Sequence, residues 1–228
     1  MSVAPDVLLR GAWYALEQCG HLLQNAVALH GGRAYASAVA LALLGREELG
    51  RYRILLDLWR QVVGGKVVSV EDVRAACDDH VTKQREGQLS NVYRVEGSGG
   101  LAELLRARIK TRPGTPQFKQ IDDQVKQLDQ TKVKRTPADR HSTRMRAMYV
   151  DINDGGTDWN RPAAMPEGEA TNCLVDAAND YSIQANKLNK IEMLRALDAP
   201  LAAALAAWDD KPPLPAPTWP DQVGTEVI

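Results

Sequence analysis

Apolar residues recur at alternating spacings of four and three from Leu8 through Ala12, Ala15, Cys19, Leu22 and Ala26. That rhythm predicts a first helix from about Asp6 to His30 with one buried stripe, closed by Gly31-Gly32. A second helix is expected from about Arg33 to Val63, roughly 45 Å long at about 1.5 Å per residue. Its first half, Ala34 to Leu44, is small and apolar nearly all round, as a central helix should be, and its second half turns charged from Arg46 to Arg60 before Gly64-Gly65. Ser69 with Asp72 three residues later is a capping-box pattern, so a third helix begins at Val70. Its stripe, Val70, Val73, Ala76/Cys77, His80 and Gln84, carries it through as one element.

The pattern then weakens. Gly97-Ser98-Gly99-Gly100 is a break, Leu101 to Lys110 a short helix, and Arg112-Pro113-Gly114-Thr115-Pro116 a second break. Gln117 to Lys134 is mostly polar, with only Ile121, Val125 and Leu128 in register. Order returns at Thr136-Pro137-Ala138-Asp139, which reads as N-cap, N1 proline and N3 acid. That helix carries Arg140, His141, Arg144 and Arg146 towards Met148-Tyr149-Val150-Asp151, and Asp154-Gly155-Gly156 forms a turn. A last helical region starts near Thr171 and runs through Leu174, Ala178, Tyr181, Leu188 and Ile191, with Pro200 dividing it from Leu201 to Trp208. Prolines at 212, 213, 215 and 217 make the tail extended or disordered. The expected layout is one helical domain over 1–210 with a polar insertion at 98–135, then a Pro-rich tail at 211–228.

Composition sharpens the fold class. With 44% hydrophobic residues but only 5% aromatics and a single Phe, the core rests on Leu, Val and Ala. Small residues let helices approach closely, which favours an all-α bundle over a sheet sandwich. A net charge of −1 argues against a broadly nucleic-acid-coating protein but leaves room for a local basic patch. Cys19, Cys77 and Cys173 are scattered and odd in number, so neither a disulfide framework nor a zinc site is expected and a reducing cytoplasm is the natural setting. No signal peptide pattern opens the chain and no stretch approaches the ~20 apolar residues of a membrane span.

Candidate chemistry centres on Arg74 and His80, separated by five residues in a chain with four histidines. An imidazole can move a 2′-hydroxyl proton while a guanidinium holds the phosphate. With 18 arginines, however, an Arg-x(4–6)-His pattern arises about once by accident, and this chain has two, Arg74/His80 and Arg135/His141. Within one helix the Arg74 and His80 side chains would also sit about 120° apart. His80 and Lys83 share a helical face and make the better local constellation. Glu47 and Glu48 lie where the second helix becomes charged; adjacent residues diverge, so they are not a proton-sharing pair. Glu47 is either an ordinary partner of Arg51 or a buried acid that orients an Arg, His or Lys. Arg140, His141 and Arg144, with Arg146 flanking, make either a phosphate-binding surface or a solvated face. No Gly-rich phosphate loop, nucleophile elbow, EF-hand loop or dimetal motif is evident.

Several segments together resemble a known family. They are Gly11-Ala12-Trp13-Tyr14-Ala15-Leu16, Arg46-Glu47-Glu48-Leu49-Gly50-Arg51, Asp79-His80-Val81-Thr82-Lys83-Gln84, Arg144-Met145-Arg146-Ala147-Met148-Tyr149-Val150-Asp151-Ile152, and Asp154-Gly155-Gly156 with Trp159. Their order is similar to that of the AbiV-type abortive-infection proteins, a branch of the HEPN superfamily, over most of residues 8–195. The resemblance implies a HEPN-like helical bundle that dimerises and, in many members, a metal-independent ribonuclease whose Arg-x(4–6)-His motif faces its copy across the dimer. Residue by residue, Glu47 and Glu48 match the family's acidic pair, His80 and Lys83 its histidine and lysine, and Arg144, Tyr149 and Asp151 its Arg…Tyr-Val-Asp segment. Arg51 stands where the family has lysine.

The expected function is therefore an antiviral endoribonuclease needing no metal or cofactor. His80 would be general acid/base, Arg74 or Arg144 would stabilise the phosphorane, and Lys83 would position the phosphate. Arg140, His141, Arg146 and Arg85 would bind RNA, with Glu47, Glu48, Tyr149 and Asp151 supporting. A homodimer, an RNA substrate and a phage-protein trigger are the expected partners. The alternative is a non-catalytic helical module that senses or binds a phage protein or a partner toxin, which the polar insertion and tail would suit.

Overall fold

In a computed structural model the described residues are 2–87, 137–152 and 155–216, with 115–117, 119–121 and 123–124 from the region between. The expected short helix at 101–110, the break at 97–100, residues 112–114 of the second break, most of the Gln117–Lys134 segment, and Thr136 and Asp154 lie outside them. So does the tail beyond residue 216. Contacts divide the chain into two units, residues 1–90 with 136–228, and residues 91–135. In the second unit the described residues from 116 to 124 are helical.

The first unit is an all-α bundle. α1 (Pro5–Gly31) and α2 (Tyr35–Val63) form its long antiparallel pair. The predicted α1 stripe is buried at Leu8, Ala12, Ala15, Cys19 and Ala26, joined by Leu16 and Leu23. It meets Ala42, Leu49, Tyr52, Leu55, Leu56 and Trp59 of α2 in one continuous core. α2 begins at Tyr35, two residues later than expected, because Arg33 takes a left-handed backbone conformation (φ 60°) in the turn after Gly31-Gly32.

The capping box forms as predicted: the Ser69 hydroxyl accepts from the Asp72 N–H, and the Asp72 carboxylate accepts from the Ser69 N–H. The helix it starts is not one element. α3 (Val70–Asp78) stops, and α4 (His80–Glu86) begins anew. Asp79 between them is extended (φ −70°, ψ 119°) and caps α4 by accepting from the Val81 and Thr82 N–H groups. The apolar stripe runs straight through this joint and so hides it. α4 lies hard against α2 at two glycines: a Cβ on Gly50 would sit 1.9 Å from the Lys83 carbonyl oxygen, and one on Gly87 would sit 2.4 Å from that of Arg46. Only glycine permits this approach.

α5 (Pro137–Met148) packs on α2 and α4 and leads into a two-residue hairpin, β1 (Asp151–Ile152) paired antiparallel with β2 (Trp159–Asn160). A 3₁₀ turn (Pro162–Ala164) precedes α6 (Glu167–Asn189), which starts earlier than the expected Thr171, with Glu167 and Glu169 favourably placed in its first turn. A second, smaller core of Val39, Leu43, Ala147, Met165, Ala170 and Cys173 ties α2, α5 and α6 together. α6 ends at Asn189 rather than continuing through Ile191; α7 (Ile191–Leu197) and α8 (Ala199–Ala206) follow, the latter capped by Asp198 with Pro200 in its first turn. Buried Arg46 of α2 and Asp180 of α6 form an ion pair inside the bundle.

Residues 211–216 of the tail are extended and docked. Their carbonyl groups accept from the Trp13 indole N–H (to Pro212, 2.8 Å), the Tyr181 hydroxyl (to Pro215, 2.6 Å) and the Gln24 amide (to Ala216, 3.4 Å). Proline keeps its acceptor though it lacks a donor, so these carbonyls anchor the tail while Leu214 packs against the main core. Cys19 and Cys77 are free thiols, and burial pushes the Cys19 thiol far above its ordinary value. Among the described residues no helix is long and apolar enough to cross a membrane.

Candidate functional site

Glu47 organises the most chemically suggestive cluster in the bundle. It leaves α2 at the level where α4 and α5 pack, and its carboxylate is buried. Three side chains donate to it: His80 Nδ1 at 2.7 Å, Arg144 Nη1 at 3.0 Å, and Gln84 Nε2 at 3.2 Å. The Gln84 amide also donates to the Leu43 carbonyl at 2.9 Å, which fixes its orientation. Thus the second helix supplies the acid, α4 the imidazole, and α5 the guanidinium. The pairing of Glu47 with Arg51 is not formed; Arg51 bridges Glu48 at 2.9 Å instead, and Glu47 is a buried acid that orients both a histidine and an arginine.

The cluster grades from dry to wet. Arg144 is 7% exposed, whereas the His80 side chain is 49% exposed and presents its ring to solvent. His141 sits beside it, with ring centroids 6.0 Å apart and planes tilted by 31°. Arg144 Nη2 approaches His141 Nδ1 at 3.4 Å. Glu47 therefore neutralises Arg144 at depth and aims His80 at the surface, and Arg144 in turn touches the second histidine. Arg144 Nε and Gln84 Oε1 are buried with no hydrogen-bond partner among the described residues.

The other expected site residues divide. Lys83 is buried and lies on the Glu48 side of α4, where its charge, like that of Arg51, partly offsets the burial that raises the Glu48 carboxyl above its usual range. His80 and Lys83 thus serve the two diverging glutamates separately. Arg74 is exposed on α3, a different helix from the one that carries His80, and is not part of the Glu47 cluster. Arg85 is exposed on α4. The α5 arginines are not a uniform solvated face: Arg140 and Arg144 are buried, and only Arg146 reaches out, to Glu169 at 2.7 Å. Tyr149 and Asp151 are exposed at the end of α5 and in the hairpin, where a cleft of about 400 Å³ is lined by Met145, Arg146, Tyr149, Asp151, Trp159 and Asn160. The Asn160 amide closes the hairpin onto α5 by donating to the Arg146 and Tyr149 carbonyls, at 2.8 and 3.1 Å.

Gln84 and the contact between His80 and His141 were not anticipated. In the sequence Gln84 shows only as a position on the third helix's stripe and as the end of the Asp79–Gln84 segment, without a role at the acid, and nothing links the two histidines, which are carried by different helices.

A small-residue helical bundle with a buried acid, a presented histidine and a buried arginine is a HEPN-like all-α architecture. A family model described as AbiV, of the HEPN group, matches residues 7–182. The chain belongs to that family, and residues 7–182 form an abortive-infection HEPN domain. No curated protein and no solved structure matches it significantly.

Proposed function

We propose that this chain is a metal-independent endoribonuclease of antiviral abortive infection, with His80 as its general base. The observation that carries this reading is the 2.7 Å contact between His80 Nδ1 and buried Glu47. Glu47 accepts from Arg144 and Gln84 as well, so it acts as an ionised acceptor and His80 Nδ1 bears the proton. Nε2 of the half-exposed ring is then the free lone pair, aimed where a substrate can reach it. In the proposed step Nε2 takes the 2′-hydroxyl proton, the 2′-oxygen attacks phosphorus, and the 5′-oxygen leaves as a hydroxyl after protonation. The products are a 2′,3′-cyclic phosphate and a 5′-hydroxyl end.

Arg144 serves as a positioning residue with a fixed positive charge, since its guanidinium is already engaged by Glu47 and His141. Arg74 takes no part in this scheme. A second copy of the chain is the proposed partner, pairing over the exposed apolar strip of Met145, Met148, Tyr149, Val150, Ile152 and Trp159. The test is incubation of RNA with wild type and His80→Ala in EDTA. Wild type should leave cyclic phosphate ends, and the variant should be slower by about 10²–10⁴-fold. Intact RNA with wild type, or equal cleavage by the variant, sinks the reading.

The same exposed strip favours a second reading, a binding module for a phage protein. Protection against phage that survives both His80→Ala and Arg144→Ala would support that module over the enzyme.

A further inference from the structure

We propose that His141 is a second catalytic residue of this site, a neutral hydrogen-bond donor that holds a non-bridging phosphate oxygen as the phosphorane forms. The proposal rests on the ribonuclease reading above and assigns a role that an RNA-binding surface residue would not have.

A guanidinium has only donors, so the 3.4 Å approach of Arg144 Nη2 to His141 Nδ1 is a hydrogen bond only if that nitrogen carries the lone pair. Nε2 of His141 then carries the proton. The neighbouring ring is held the opposite way: Glu47 takes the His80 Nδ1 proton and leaves Nε2 as an acceptor. Two imidazoles of identical chemistry are thus set in complementary states by one connected network, His80–Glu47–Arg144–His141. One ring can accept a proton, and the other can only donate a hydrogen bond.

Their spacing suits a single reacting group. Ring centroids 6.0 Å apart leave a gap that one phosphodiester can span, with the 2′-hydroxyl on one ring and a phosphate oxygen on the other. With Nδ1 taken by Arg144, His141 has one ring N–H left, at Nε2, and in the proposed step it offers that N–H as a hydrogen-bond donor. No proton leaves His141 during the step. The 2′-hydroxyl proton goes to His80, the 2′-oxygen–phosphorus bond forms as the phosphorus–5′-oxygen bond breaks, and water or the His80 imidazolium returns a proton to the leaving oxygen. His141 acts as an oxyanion donor acts, through a hydrogen bond that strengthens as charge accumulates on the phosphate.

The experiment uses the full chain and a mixed-sequence single-stranded RNA pool, followed by a short RNA containing the bond that wild type cuts. That RNA is made with oxygen, or with sulfur at either of the two non-bridging positions. His141→Ala should lower kcat on the oxygen substrate by about 10²–10³-fold with little change in KM. Wild type should discriminate between the two sulfur diastereomers, because sulfur accepts the hydrogen bond poorly, and the preference should collapse in His141→Ala. His141→Gln, which keeps an N–H donor, should recover part of the loss. A variant that keeps the full diastereomer preference, or that changes only KM, overturns the assignment while leaving the ribonuclease reading intact. Wild type that cuts no RNA removes both at once. If His141→Ala does not fold, His141→Gln decides: a kcat below that of wild type together with a smaller diastereomer preference keeps the donor role, and any other result overturns it.

Discussion

Arg46 and Glu47 are consecutive residues of α2, both charged and both almost fully buried, yet they lead to opposite ends. Arg46 turns inward to Asp180 of α6, and neither partner is more than 2% exposed. Glu47 turns about 100° away, and its partners climb from buried Arg144 to half-exposed His80. A charge pair closed off from solvent fixes how α2 and α6 pack. One that ends on a solvent-facing imidazole can exchange protons with something outside. Burial alone therefore does not mark a functional charge; a path from the buried group to the surface does.

The inward pair should give the largest stability effect. Asp180→Ala leaves the Arg46 charge in the core without its ion-pair partner, and denaturant unfolding should show a loss of about 3–5 kcal/mol. The joint replacement Arg46→Met with Asp180→Leu should recover most of it, since an apolar pair of similar volume is often tolerated there. His80→Ala, by contrast, should cost no more than about 1–2 kcal/mol, the loss of one hydrogen bond to a carboxylate that keeps Arg144 and Gln84 as donors, while removing cleavage. If the two variants instead cost the same stability, the distinction between the two pairs collapses.

The docking of α4 is the next lever. At Gly50 an added Cβ would meet backbone, the Lys83 carbonyl at 1.9 Å, which cannot rotate aside. Gly50→Ala should force α4 off α2, with a stability cost of about 1–3 kcal/mol from overpacking. Its cost in cleavage should be greater than its cost in stability suggests, because α4 carries His80 and Gln84 to Glu47. Thermal unfolding and RNA cleavage measured on the same preparation check this. Cleavage at the wild-type rate would mean that the seating of α4 does not set the geometry of the site.

The sequence made the long elements plain and the convergence obscure, for separable physical reasons. α1 and α2 are each about seven to eight turns of one periodic pattern, and the local rules that start and stop them act within a few residues. The joint at Asp79 is also local, but the apolar stripe of α3 stays in register across it and masks the capping signal of Asp79 with Thr82. The Glu47 cluster is different in kind. Its acid and arginine are 97 residues apart, and Arg46 is 134 from Asp180, so neither contact leaves a periodic trace. What remained readable was that Glu47 stands at an apolar-to-charged transition. Whether it served Arg51 or a distant histidine depended on two glycines, Gly50 and Gly87, that decide how closely α4 may come.

The smallest effect concerns the cap that starts α4 beside His80. The Asp79 carboxylate accepts from Thr82, side chain and backbone, and these hydrogen bonds hold its pKa below the ordinary 3.8. Because the folded value is the lower one, the cap's contribution is fully present above the unfolded pKa and is lost as pH falls through the folded value. Asp79→Ala should therefore lower Tm slightly at neutral pH, and the gap to wild type should close as the solution is acidified below 3.8. The variant should also loosen α4, so that cleavage at neutral pH falls by more than the small change in Tm would suggest, while the Arg46–Asp180 pair on the other side of α2 is untouched. Thermal unfolding at several pH values, beside cleavage at neutral pH, measures both. A Tm gap that is constant across the acid range would show that the cap is not what Asp79 contributes, and unchanged cleavage would show that His80 is held by Glu47 alone.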